Sequence, residues 1–411
     1  NATTANNTAV GRSALANNIA AANTAVGKSA LAENTTGYNN VALGAFALDA
    51  NTDSYSCTSI GYNAGSTAHG NGCTFVGEAA GNGVTGSGSY QNTAVGQGAL
   101  AGACDDFANT GIGHYALVAS TGGRYNTALG KSAGVANTTG DYNTYIGAVA
   151  GDSVVSGTYN VFVGYGSGGA NTGSHNIFVG ANAGGAASGG DGSNVVIGVD
   201  AGFGMTGVTG ATLMGYHAGK VNDTGDNNTC LGKFAGDAIT SGSNNVCLGY
   251  DSGSDAMESI TTDSNNVIIG NNSSDNAEVK VDWTVGSDVR DKTDIETLPD
   301  NAGLNFVNQM RPVSYVWDNR SNYYSYSHEK YGERDHSKKS KIKQVGFIAQ
   351  EIKEIEKSIG WEEDHLVNTS NEQSYKLMYS QVTPILVKAI QELSAEVEEL
   401  KKKAHNKCDK E

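Results

Sequence analysis

The chain has 411 residues, 56 glycines, three prolines and a formal net charge of −16. An acidic balance without Lys/Arg clusters argues against nucleic acid or an anionic membrane surface as the main partner, because such surfaces are met by concentrated positive charge. No run of about 18 apolar residues occurs, so membrane insertion is not expected, and the six cysteines form no CxxC pair and no Cys/His cluster at zinc spacing, so neither a metal nor a cofactor is expected.

Residues 1–286 hold 52 of the glycines, with 7 Lys+Arg against 20 Asp+Glu; residues 287–411 hold the other four and all three prolines, Pro299, Pro312 and Pro384, with 19 basic against 22 acidic residues. Such a shift marks a domain boundary. The chain starts at Asn1 without an initiator Met or a signal peptide, which points to the distal part of a longer protein.

A glycine preceded by an aliphatic residue recurs at 11, 27, 44, 61, 77, 96, 113, 130, 147, 164, 180, 198, 215, 232, 249 and 270, sixteen copies with 17 as the commonest spacing. Immediately before it stands Val10, Val26, Leu43 or Ile60, and three before it a β-branched residue such as Thr24, Val41 or Ile177. Side chains alternate along a strand, so these two columns share a face, taken here as the inward one. Three residues after the glycine comes only Ala or Ser (Ala30, Ser167, Ala218), which implies close backbone packing. Four before it, 13 of 16 copies carry Asn, as at Asn23, Asn126 and Asn245; stacked amides can hydrogen-bond along such a column.

One 17-residue unit cannot bury a core, whereas stacked copies can. The expected fold is therefore mainly β: a parallel β-solenoid of about sixteen rungs over 1–274, roughly 75 Å long at a strand spacing of about 4.8 Å. Collagen is excluded because glycine is not at every third position, and disorder because four columns hold register throughout. The column two before the glycine then faces outward. It runs from Ala9, Ala25 and Ala42 to Tyr145, Phe162, Phe178 and Leu213, and an apolar outer column implies a partner, most simply two further copies of the chain. Cys230 and Cys247 follow each other in this column, and Cys57 and Cys73 in the Asn column; disulfides and free stacked thiols are both open.

The motif "NTAVG…A" resembles the head repeat of YadA-like trimeric autotransporter adhesins, with a longer rung owing to loops such as "ENTTGYN" at 33–39. The resemblance implies a left-handed parallel β-roll packed as a trimer.

Residues 275–286 leave the repeat and are expected to form a strand-like neck containing Trp283. Beyond it stand "SDVRDKTDI" at 287–295, "RPVSYVW" at 311–317, "VGFIAQEI" at 345–352 and "YSQVTPILVKAIQELSAEVEEL" at 379–400. In order and spacing these blocks resemble the intramolecular chaperone auto-processing domain that ends phage tail spikes and fibres. The resemblance implies a small α+β domain over 287–384 that aligns three chains and is then cut away. Carried onto this chain, it implies a scissile bond at Gly286–Ser287, Ser287 as nucleophile, Lys292 as general base, and Asp288 and Arg290 as orienting or charge-balancing groups. The enzyme activity expected is a single-turnover self-cleaving serine endopeptidase. A hydroxyl needs a proton acceptor, and a lysine serves if burial disfavours its charged form; taken alone, "SDVRDK" favours a solvated charged turn, and the three downstream blocks shift the reading to self-cleavage. The insert "SHEKYGERDHSKKSKIK" at 327–343 offers His328 and His336 as other bases, but a surface loop is expected.

Leu386, Ile390, Leu393, Val397, Leu400 and Ala404 follow heptad steps, so 385–404 is expected to form a three-stranded coiled coil, followed by a tail at 405–411. The whole is expected to be a homotrimeric phage tail-fibre or appendage protein of the virion. It would meet a host-surface receptor, a glycan being one candidate, and a proximal fibre or virion protein at its N-terminal end. Alternatives are a cell-surface trimeric adhesin and a glycan-degrading tail spike; the latter needs two carboxylates in one cleft, whereas Asp141, Asp152, Asp200, Asp226 and Asp251 are scattered. Ice binding would need an outward Thr ladder, and the Thr column is placed inward.

Overall fold

A computed structural model describes residues 6–84, 90–102, 107–186, 192–254, 259–271, 273–274, 287–320, 323, 329–330, 332–363, 365–369 and 375–408. The neck at 275–286, with Trp283 and Gly286, and His328 lie outside the described residues. Two compact units divide the chain, Asn1–Ser273 and Ser274–Glu411.

In the first unit sixteen three-residue strands, β1 (Thr8–Val10) to β16 (Val267–Ile269), form one parallel sheet in chain order. Each strand pairs in register with the next, so Thr8 stands opposite Thr24 and Phe162 opposite Phe178. The chain turns back in each rung through residues with left-handed backbone, Ser29 (φ 56°) and Leu31 (φ 50°) in the second rung, Tyr115 and Leu117 in the seventh. The turns stack as well as the strands: Leu31 N–H donates to Ala47 O at 3.0 Å and Thr35 N–H to Thr52 O at 2.8 Å. Backbone hydrogen bonds therefore join rungs round much of the coil, satisfying groups that a lone rung would leave unpaired. The repeated glycine is demanded by this stacking. At Gly27 φ is +144°, and a Cβ there would lie 2.3 Å from the carbonyl oxygen of Gly44 in the next rung.

The faces are the reverse of the expectation. The column two before the glycine is inward: Ala25, Phe75, Tyr145, Phe162, Phe178 and Cys230 are fully buried. The columns one and three before it look outward, with Val10 57%, Leu129 46% and Met214 44% exposed. Alternation places those two columns together, but both faces are apolar, so pattern alone does not say which is inside. The narrow interior decides, since the space between the inward strand residue and the residue four after the glycine holds one large side chain per rung. Where the inward strand residue is small, a leucine four after the glycine fills the coil, as with Ala25 and Leu31, Ala42 and Leu48, or Ala94 and Leu100. Where it is large, that place is glycine: Phe75 with Gly81, Tyr145 with Gly151, Phe162 with Gly168, Phe178 with Gly184. A Cβ at Gly151 would lie 2.5 Å from the Tyr145 ring, and one at Gly184 2.6 Å from the Phe178 ring. Rungs with two small residues, Ser59 with Gly65 and Ala128 with Gly134, precede Phe75 and Tyr145, whose rings reach back to within 2.7 and 2.6 Å of where those glycines' Cβ atoms would be.

The Asn column behaves as expected. Asn126 Oδ1 accepts from Asn143 N–H at 2.9 Å while its Nδ2 donates to Gly140 O at 2.7 Å, both groups buried. A second buried Asn column, Asn18, Asn34 and Asn51, stands at the other end of the same turn and stacks through amide–amide bonds of 2.6 and 3.2 Å. The Ala/Ser column after the glycine is buried too, as at Ala30, Ala99 and Ser167.

The second unit is a small α+β assembly. A 3₁₀ turn at Val289–Asp291 leads to α1 (Leu304–Gln309), the antiparallel pair β17 (Val313–Val316) and β18 (Lys343–Gly346), α2 (Ala349–Ser358), the short pair β19 (Val367–Asn368) and β20 (Lys376–Leu377), and α3 (Tyr379–Cys408). Phe306, Ile352, Leu366, Val367, Val382 and Ile385 form its core. Glu392 of α3 accepts the N–H of Leu304, at the start of α1, at 2.6 Å, and Lys388 pairs with Glu392 at 3.1 Å. Helix α3 begins six residues before the 385 expected for the coiled coil, with Pro384 inside it; so near the N-terminus the missing N–H forfeits a single helix bond.

Two outcomes follow from the filled coil. Tyr145 is buried, its hydroxyl has no hydrogen-bond partner among the described residues, and Phe162 and Phe178 do the same packing without one. Tyr145→Phe is expected to raise stability by about 1–3 kcal/mol, the cost of an unmet polar group, measured by thermal or denaturant unfolding. Tyr145→Ala is expected to lose about 3–5 kcal/mol, and adding Gly151→Leu, which copies the Ala25/Leu31 rung, to recover most of it.

Candidate functional site

Ser287 and Lys292 are five residues apart, a spacing that neither a strand nor an α-helix turns into contact. The 3₁₀ turn between them does so. Asp288 caps that turn, its Oδ1 accepting Arg290 N–H at 2.9 Å, and Lys292 N–H closes it on Val289 O at 3.2 Å. Lys292 Nζ then donates to Ser287 Oγ at 2.7 Å. With the lysine neutral, the same contact would let the amine take the hydroxyl proton, the arrangement of a serine–lysine pair. All of Ser287–Lys292 is exposed in the single chain.

Asp288 and Arg290 pair with each other, Arg290 Nε donating at 3.0 Å and Nη2 at 2.5 Å. Arg290 holds the Asp288 carboxyl below the usual carboxylate range, and Asp288 raises the guanidinium in turn. The bonds between them shape the turn that presents the dyad.

The described part of the charged insert is tied to Asp318, which the sequence did not single out. His336 Nδ1 lies 2.6 Å from Asp318 Oδ2, Tyr323 Oη donates to Oδ1 at 2.7 Å, and Arg334 donates to the Asp318 carbonyl at 2.9 Å. These contacts hold Asp318 below its usual range although partial burial opposes them. His336 is bonded here to Asp318.

In the solenoid three of the scattered carboxylates link rungs. Asp141 accepts Arg124 N–H at 2.7 Å, Asp226 accepts Thr209 N–H at 2.8 Å, and Asp200 pairs with His217 at 3.3 Å. The exposed tyrosines spend their ring faces on one another: Tyr125 on Tyr142 at 5.0 Å, Tyr142 on Tyr159 at 4.9 Å, then His175 at 5.3 Å. Packing between rungs is thus what these aromatics do.

Among the described residues, two apolar faces lack partners. One is the outward face of the sheet. Its two columns hold only Thr, Val, Ile, Leu and Met, without a charge in any rung. This outward Thr column removes the ground on which ice binding was set aside. The ladder is nevertheless broken by Val41, Val161, Ile177, Val195, Val246 and Val267 and flanked throughout by aliphatics, which makes the face apolar. The other is the heptad stripe of α3, where Leu386, Ile390, Leu393, Val397 and Leu400 are exposed while Val382, Ile385 and Ala389 face the core. Among the described residues no helix is long and apolar enough to cross a membrane, and no cluster fit for a metal ion occurs.

No curated protein matches the chain. A family model does, and it begins on the serine of the dyad while ending before β19, so that α3 lies beyond it. Residues 287–361 match the model described as chaperone of endosialidase, and the chain therefore carries that domain directly after its repeat β-solenoid, as fits a tail-spike or fibre protein with a C-terminal chaperone.

Proposed function

We propose that this chain belongs to a homotrimeric viral appendage, a phage tail fibre of the virion, that attaches to a host surface, and that its C-terminal domain aligns three chains and then cuts itself off at Gly286–Ser287. The observation that carries the reading is the 2.7 Å contact between Lys292 Nζ and Ser287 Oγ at the first residue of the chaperone domain.

The chemistry balances as an acyl shift followed by hydrolysis. Ser287 Oγ attacks the Gly286 carbonyl while Lys292 takes the hydroxyl proton and returns it to the departing Ser287 nitrogen. A water then splits the ester, leaving a Gly286 carboxylate and a free Ser287 amine. A lysine accepts a proton at neutral pH only where burial or like charge penalises its charged form. Copies of the chain packed round the exposed dyad would supply that burial, which ties the cut to assembly.

Both unpartnered faces support self-association. Sixteen strands at about 4.8 Å, with a face roughly 10 Å wide, offer about 700–800 Å² per chain, close to the per-partner area of a stable interface. The α3 stripe repeats at coiled-coil spacing. The corrected faces move the expected partner surface from the inward column to the outward sheet. A host receptor and a proximal virion protein at the N-terminal end complete the proposal.

Expressed protein analysed by mass spectrometry is expected to show a new N-terminus at Ser287, absent in Ser287→Ala and Lys292→Ala; intact parent chain would reduce the domain to a retained cap. In light scattering, the parent is expected at three chains. Leu393→Asp should yield mainly single chains or irregular aggregates, and Ile112→Asp with Leu129→Asp should weaken the shaft trimer after the cut. Unchanged three-chain mass in both variants would refute these surfaces.

A further inference from the structure

We infer that Cys57–Cys73 and Cys230–Cys247 are two sites of oxidative cross-linking between successive rungs, each pair closing to a disulfide when the chain meets a peroxide-class oxidant.

The register places the partners. β14 (Thr229–Leu231) and β15 (Val246–Leu248) align Cys230 with Cys247 directly. β4 (Thr58–Ile60) and β5 (Thr74–Val76) align Thr58 with Thr74, so the residues just before them, Cys57 and Cys73, are also neighbours. In-register strands lie about 4.8 Å apart, inside the roughly 4.4–6.8 Å separation of Cα atoms that disulfides span. All four side chains are buried in the coil.

The two sites replace different residues. Cys57 and Cys73 stand where neighbouring rungs have Asn40 and Asn92. The Cys57 thiol takes over the amide's donor role, reaching Gly70 O at 2.9 Å where Asn40 Nδ2 reaches Ser54 O at 2.8 Å. A thiol is the weaker donor and acceptor, so two consecutive exchanges of Asn for Cys weaken the ladder unless the sulfurs gain something from each other. Cys230 and Cys247 instead fill the inward column, each aimed at the glycine four after its rung's repeat glycine. A Cβ at Gly236 would lie 2.3 Å from Cys230 Sγ, and one at Gly253 2.6 Å from Cys247 Sγ. Turning one sulfur from that space toward its partner closes the bond.

The neighbouring thiol draws Cys57 below its ordinary range and pushes Cys73 up, with burial adding to the rise. Cys57 is therefore the attacking sulfur: its thiolate takes one oxygen from hydrogen peroxide to give a sulfenic acid and hydroxide. Cys73 then displaces the sulfenic oxygen as water once its proton is counted, so two thiols and one peroxide give one disulfide and two waters. Its neighbour and burial push Cys230 up in the same way as Cys73. The cross-links join rungs four to five and fourteen to fifteen. In a solenoid that opens rung by rung from its ends, such ties halt the opening.

The test uses the full chain, purified reduced, exposed to hydrogen peroxide under native conditions, then denatured and alkylated for peptide mapping. Four of the six cysteines are expected to resist alkylation, with peptides linked Cys57–Cys73 and Cys230–Cys247, and a reductant restoring all tags. Cys73→Ser should free Cys57 for tagging and leave the other link intact, and circular dichroism verifies that the shaft is wound. Complete alkylation of the four after peroxide, or links chiefly to Cys104 or Cys408, overturns the inference.

Discussion

In each rung the space between the inward strand residue and the residue four after the glycine accommodates at most one bulky side chain, and the shaft's sequence is arranged round that limit. A leucine after the glycine or an aromatic on the strand may fill it, as Leu31 and Phe178 do, but not both. Stacked glycines, such as Gly27 beneath Gly44, bring successive backbones too close for any Cβ. Buried Asn amides then bond the turns where no side-chain packing is available. Filling at constant volume is what close packing requires, and here it is met within the rung or with its direct neighbour.

This inward economy leaves the sheet's other face nearly uniform. Every rung shows a β-branched residue and an aliphatic outward, so two shafts displaced by one whole rung would meet much the same surface. Strand register is well specified only where surfaces differ. A helper outside the repeat solves that problem, and α3 has the form for it: one flank locked to α1 through Glu392 and Leu304, the other carrying an unpartnered heptad stripe. Removing the helper afterwards would close the route by which the shaft was wound, turning assembly into kinetic stability.

Ser287 and Lys292 lie where these two roles meet. Their contact depends on a single 3₁₀ turn capped by Asp288 and braced by Arg290. The local geometry is therefore encoded by six consecutive residues. The burial that would make a lysine a base is not, since those residues are exposed in one chain.

From sequence alone came the period, the glycine, the Asn and Ala columns, the pairing of the two strand columns on one face, and the heptad of α3. Each is a periodic signal repeated often enough to stand out. Tertiary structure alone decided which face is inside. A three-residue strand with apolar residues on both sides has no polar face to mark the exterior, and only the width of the closed coil sends Tyr145 and Phe162 inward and Val10 and Leu129 outward. It likewise decided the trade between Gly151 and Tyr145, the second Asn column, and the gathering of Tyr323, Arg334 and His336 at Asp318, because these depend on distances across the fold that no spacing along the chain records.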